Sequence, residues 1–176
     1  NAIASNMMKM ANDIRLLASG PRCGLGEINL PANEAGSSIM PGKVNPTQCE
    51  ALSMVCVQVL ANNQAITIGS SQGHFQLNAY MPLIMYNTWQ SIRLLSDALD
   101  SFDKRCLSGI TVNKEKMDEN LHKSLMTATY LNREFGYDET SKIVKQAYQE
   151  DKSIKQVVLE HQLMSEVEFD KFFDYE

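Results

Sequence analysis

The stretch from Gly36 to Pro46 concentrates the side chains able to do chemistry. It reads Gly36-Ser37-Ser38-Ile39-Met40-Pro41-Gly42-Lys43-Val44-Asn45-Pro46. Gly36 and Gly42 open backbone conformations closed to other residues, so main-chain N–H groups can turn toward an anion. Ser37 and Ser38 add hydroxyls, and Lys43 adds a point charge. Asn45 presents an amide where a helix is expected to begin, and a helix N-terminus itself favours a carboxylate. The sum is an anion cradle with a hydroxyl beside it. A nucleotide phosphate loop needs Gly, four residues, then Gly-Lys-Ser/Thr. Here five residues separate Gly36 from Gly42, and Val44 follows the lysine. Glu50 lies five residues beyond Asn45, within reach of the first turns of the following helix.

Helices must hold this loop. Residues 2–18 carry Ile3, Met7, Met10, Ile14 and Leu17 at helical spacing, and Ser19-Gly20-Pro21 stops that helix. Residues 19–45 hold five of the nine glycines and three of the five prolines, with no period of 2 or 3.6. A connection of that length inside a compact domain is usually functional. Asn45 as N-cap and Pro46 at the first helical position open a helix over Thr47–Ile68. Its apolar residues (Cys49, Leu52, Val55, Cys56, Val59, Leu60, Ile66) fall on nearly every face, the mark of a buried helix. Gln58, Asn62, Asn63 and Gln64 within the run argue against a membrane span.

Gly69 to Gly73 breaks the chain, and a second long helix follows over 78–105, with Pro82 near its start. Leu83, Tyr86, Trp89, Leu94, Ala98 and Phe102 are among its apolar positions. Two long apolar helices need partners that this chain barely supplies. After Gly109 the segments become short and charged: Lys114–Leu131, Asp138–Glu150, Ile154–Leu159 and Ser165–Phe173. Asn113 is a candidate cap for the first, and Ser165 with Glu168 forms a capping-box pattern. No strand is expected. The reading is all-α: residues 1–110 supply a central helical-bundle segment and 111–176 a small C-terminal helical domain.

The chain has 176 residues, with 16 basic and 21 acidic side chains and a net charge of -5. That balance argues against nucleic acid or an acidic membrane as partner. Cysteines at 23, 49, 56 and 106 show no Cys-x-x-Cys spacing, and His74, His122 and His161 are scattered, so no metal site is expected. Free thiols in a reducing compartment are the simplest reading. The chain opens on Asn1 with helix-interior character and no signal-peptide pattern, which reads as a piece of a longer protein.

Gly36-Ser37-Ser38-x-Met40-x-x-Lys43-x-Asn45-Pro46 resembles the signature of the fumarase/aspartase superfamily. Within it, Gly42-Lys43-Val44-Asn45-Pro46-Thr47-Gln48-Cys49-Glu50 is similar to class II fumarate hydratases. So are Ser19–Leu30, Asn62–Leu77 and the Gly136-Tyr137 region, as a C-terminal portion of a protein more than twice as long. Aspartases usually have Ala in place of Gly42 and depart from Thr-Gln-Cys-Glu.

The resemblance implies reversible hydration of fumarate to L-malate, with neither metal nor organic cofactor. It implies Ser37 as general base and Lys43 as the charge that stabilises an aci-carboxylate. Ser38 and Asn45 would orient the substrate carboxylates, and Val44 would contribute main-chain contacts. Glu50 would pair with a water-activating histidine outside this chain; none of the three histidines here stands in its motif. The family assembles as a homotetramer with sites where three subunits meet, in the cytoplasm or, in eukaryotes, the mitochondrion. This portion alone is expected to be inactive. Two other readings remain open: an aspartase or related fumarate-releasing lyase, and a non-catalytic helical oligomerisation domain.

Overall fold

A computed structural model describes residues 1–34, 36 and 39–173. The described residues form seven α-helices, two short 3-10 helices and one two-stranded sheet. They divide into two compact units, Asn1–Asn113 and Lys114–Glu176.

The first unit is built on three helices, α1 (Ala2–Leu17), α2 (Thr47–Ser70) and α3 (Met81–Arg105). At 1.5 Å per residue, α2 and α3 are each about 36 Å long. Helix α1 runs antiparallel to α2: Arg15 meets Glu50 at one end, and Met8 lies beside Cys56 further along. Helix α3 runs antiparallel to α2 in turn. The Ser101 hydroxyl donates to Gln48 Oε1 at 2.8 Å, and Ile84 packs against Gly69 at the far end. Ala4, Ala11, Cys49, Leu52, Cys56, Val59, Phe102 and Cys106 form the buried core. The stripe expected on α1 is displaced: Ala4 and Ala11 are its buried residues, whereas Ile3 is 59% exposed. Alanine lets α1 approach α2 closely, and the longer apolar side chains flank that contact.

One buried polar cluster lies between α2 and α3. Asn62 is 3% exposed. Its amide donates to Gln90 Oε1 (2.9 Å) and Ser91 Oγ (3.1 Å), and its Oδ1 accepts from Gln58 (2.8 Å). An isolated amide there would carry a desolvation cost; this one is satisfied on both ends.

Helix α2 is long and apolar enough by length and composition to cross a membrane, a test that core helices also pass. Within this chain only one face of it is covered. Met54, Val57 and Ile68 are more than half exposed. On α3, Met85, Tyr86, Trp89 and Ile92 are exposed as well. The all-round burial read from the apolar run is thus not completed inside this chain.

The absence of strands is corrected on a small scale. Strands β1 (Ile28–Asn29) and β2 (Thr111–Val112) pair antiparallel, Ile28 opposite Val112. The pairing secures both chain segments near the C-terminal end of α1, where Glu27 N–H donates to Leu17 and Asn113 N–H to Glu27.

The second unit closes its own core with short helices: α4 (Lys114–Lys123), α5 (Asn132–Glu150), α6 (Ile154–Glu160) and α7 (Glu166–Phe172). The segment expected as one helix to Leu131 is split. Ser124 leaves helical geometry, accepts from Met126 N–H, and begins a 3-10 turn over Leu125–Leu131. Helix α5 starts earlier than expected and kinks at Gly136. Leu131, Ile143, Ala147, Ile154, Val157, Val158 and Phe169 are buried together. Ser153 and Ser165 each complete a capping box, with Gln156 and Glu168 respectively.

Candidate functional site

The described residues of the signature stretch lie at the end of the first unit where α1 ends, α2 begins and α3 ends. Two contacts anchor the segment that leads into it, and a third lies within it. Asn33 donates from Nδ2 to the Arg105 carbonyl at the end of α3, at 2.8 Å. Pro31 packs against Gly109. Asn45 donates from Nδ2 to the Gly36 carbonyl, closing the stretch on itself.

This changes the role of Asn45. Helix α2 begins at Thr47 with Pro46 in the capping position, and no side chain caps it. Asn45 is therefore not the N-cap read from the sequence. Its amide donor is committed across the loop, where it fixes the width of the Gly36–Asn45 segment.

Lys43 is presented by a tight turn. Its N–H donates to the Met40 carbonyl at 3.3 Å, with Pro41 and Gly42 as the central residues and Gly42 at φ +78°. Proline then glycine with positive φ is the signature of a type II turn. Gly36 is needed for a different reason. Its φ is not positive, and a side chain placed on it would run into the Lys43 carbonyl. The two glycines thus do separate work, one turning the chain and the other admitting a close backbone approach.

Lys43 and Val44 are exposed, and the Lys43 ammonium has no ion-pair partner among the described residues. A free ammonium on a rigid turn suits an incoming carboxylate. Ser37 and Ser38, the general-base and carboxylate-orienting residues expected from the sequence, lie outside the described residues.

Glu50 sits in the first turn of α2, half-buried, where a carboxylate complements the helix dipole. Its Oε1 lies 3.2 Å from Arg15 Nη2. Sequence reasoning did not single out Arg15. Its position in the last turn of α1 suits a cation, but nothing local signals a carboxylate across the helix pair.

Behind Glu50 the interior is apolar and its thiols are inert. Burial pushes the Cys49 thiol up to about 12, reinforced by the neighbouring Cys106 thiol. Burial also raises Cys56 and Cys106. All four cysteines are free, and only Cys23 is exposed. A thiol held protonated is neither nucleophile nor metal ligand at neutral pH. Among the described residues no group of three or more His, Cys, Asp or Glu is placed to hold a metal ion. His74 bridges to Leu77 through backbone hydrogen bonds in the turn before α3, and His161 Nε2 lies 2.7 Å from Gln146 Oε1 in the second unit.

Comparison with known proteins shows what these features are similar to. Residues 1–61 match the family described as Lyase, and residues 127–176 the family described as Fumarase C C-terminus. Class II fumarate hydratase of Helicobacter pylori is 59% identical over 171 residues, 97% of this chain and 37% of that protein. The fumarate lyase:delta crystallin of Brucella melitensis, in its cobalt-bound crystal structure, superposes with a TM-score of 0.91 at 42% identity. That match covers 98% of this chain and 37% of the other. Class II fumarase of Schistosoma mansoni gives 0.90 at 44% identity, over 97% and 36%. The chain therefore spans little more than a third of the length of the relatives it matches. Its signature stretch, its antiparallel long helices and its C-terminal helical unit agree with one resemblance: over nearly its whole length the chain is similar to class II fumarate hydratases, and its last fifty residues match the family described as Fumarase C C-terminus.

Proposed function

We propose that the whole protein hydrates fumarate reversibly to L-malate. The observation that carries this reading is the run Gly42 to Glu50. The Pro41-Gly42 turn presents Lys43, which has no ion-pair partner among the described residues, and a carboxylate follows at the start of α2.

In the dehydration direction Ser37 takes the C3 proton of L-malate. A free serine hydroxyl is too weak a base for this, so its alkoxide must be stabilised by backbone N–H groups and positive charge. The carbanion is held as an aci-carboxylate, a doubly charged group. Lys43 neutralises that charge, and Ser38 and Asn45 orient the carboxylates. Asn45 has an amide oxygen left for this, since its amide nitrogen is bonded to Gly36. Val44 contributes main-chain contacts. Glu50 pairs with a histidine from outside this chain that handles the water. The electron pair of the aci-carboxylate then forms the C2–C3 double bond as the C2–O bond breaks, and the hydroxyl takes a proton from that histidine and leaves as water, so no electrons are gained or lost overall and no redox cofactor is called for.

The assembly is a homotetramer, with long helices of several subunits covering the apolar faces of α2 and α3. Residues 1–110 belong to the central bundle and 111–176 to a small C-terminal domain. The home compartment is the cytoplasm, or the mitochondrion in a eukaryote. Because the site draws groups from outside residues 1–176, this portion alone turns nothing over.

Fumarate absorbs in the ultraviolet, so the whole protein is assayed with L-malate and L-aspartate in parallel. Turnover of malate alone is expected. Turnover of aspartate alone would keep the proton abstraction and overturn the reading of Gly42 and Thr47–Glu50. Turnover of neither would favour a helical oligomerisation domain that has lost its chemistry.

A further inference from the structure

We infer that Arg15 is a positioning residue for Glu50. The inference rests on the proposed role of Glu50 and extends it to a helix outside the signature. Arg15 stands in the last turn of α1 and Glu50 in the first turn of α2. Because the two helices are antiparallel, those turns lie side by side. Each charge complements the dipole of its own helix, so both side chains are held at the ends that meet.

The contact is made by one atom of each group, Arg15 Nη2 on Glu50 Oε1 at 3.2 Å. A carboxylate accepts through both oxygens. Oε2 has no partner among the described residues, so it can accept from an imidazole while Oε1 stays anchored. Arg15 in turn has no other carboxylate partner among the described residues. With the two side chains 52% and 40% exposed, the pair adds little to folding. Its consequence is orientation: without Arg15 the Glu50 carboxylate is free to sample its rotamers, and the histidine loses a fixed acceptor.

The test is steady-state kinetics on the whole protein with L-malate. Arg15→Met is expected to lower kcat by about tenfold to a hundredfold with KM nearly unchanged, as for a group displaced by a fraction of an ångström. Arg15→Lys, which keeps the charge but not the planar fork, should recover part of the loss. The double variant Arg15→Met/Glu50→Gln should be no slower than Glu50→Gln alone, because the two act through one carboxylate. If Arg15→Met fails to assemble, Arg15→Gln carries the same comparison. Parent-like kcat in the Arg15 variants beside a slow Glu50→Gln would overturn this inference and leave Glu50 in place. So would losses that multiply in the double variant. Parent-like kcat in Glu50→Gln would remove the role of Glu50 and the inference with it.

Discussion

The two units solve the same problem in opposite ways. The second buries the apolar faces of short helices against one another, with Leu131, Val157 and Val158 nearly inaccessible and serine capping boxes closing two helix starts. The first includes two helices of 24 and 25 residues and leaves much of their apolar surface open, including Met54 and Val57 on α2 and Met85 and Trp89 on α3. A contiguous exposed apolar patch of that kind marks an interaction surface. The difference teaches that the long helices leave apolar faces for the proposed assembly to cover, whereas the short ones close on themselves. The candidate chemistry lies in the unit that is incomplete by itself.

The largest effect that would break this contrast is on assembly. Trp89→Asp puts a charge on the open face of α3, where burying it unpaired costs several kcal/mol. In the whole protein it should dissociate the proposed tetramer in sedimentation; an intact tetramer would mean that this face is solvent-exposed by design. Next comes the core of the second unit. Leu131→Ala should destabilise that unit by about 2–5 kcal/mol in denaturant unfolding, with assembly and turnover retained below the transition. Loss of the tetramer instead would show that the second unit is not self-contained. The smallest effect is at a cap: Ser153→Ala should cost about 1 kcal/mol, read from the same unfolding curves. A cost near zero would mean that Gln156 and solvent satisfy the end of α6 unaided.

Much of this fold can be read from residue spacing. The three long helices follow from apolar periodicity and from glycine and proline breaks, and Ser165–Glu168 is a local pattern that the structure realises. Spacing marks which residues are apolar but not which face lies closest to a neighbour. That is why Ala4 and Ala11, not Ile3, line the α1 contact. It also cannot say whether a face is covered by this chain or by another, so α2 looked more buried than it is. The two-residue strands β1 and β2 are too short to carry a period.

The candidate site divides similarly. The Pro41-Gly42 turn behind Lys43 is written in two adjacent residues. Asn45 reads from the sequence as a helix cap, and only the path of the backbone turns its amide to the Gly36 carbonyl instead. Arg15 and Glu50 are remote in sequence, and only the antiparallel docking of α1 on α2 brings them together.

The central claim is that the loop of the first unit carries the proton abstraction. Ser37→Ala in the whole protein tests it most directly, with turnover of L-malate and the sedimentation of the tetramer measured on one preparation. The account predicts turnover lowered roughly 10²–10⁴-fold, the range of a general base, with an unchanged tetramer. Turnover near that of the parent protein would contradict it.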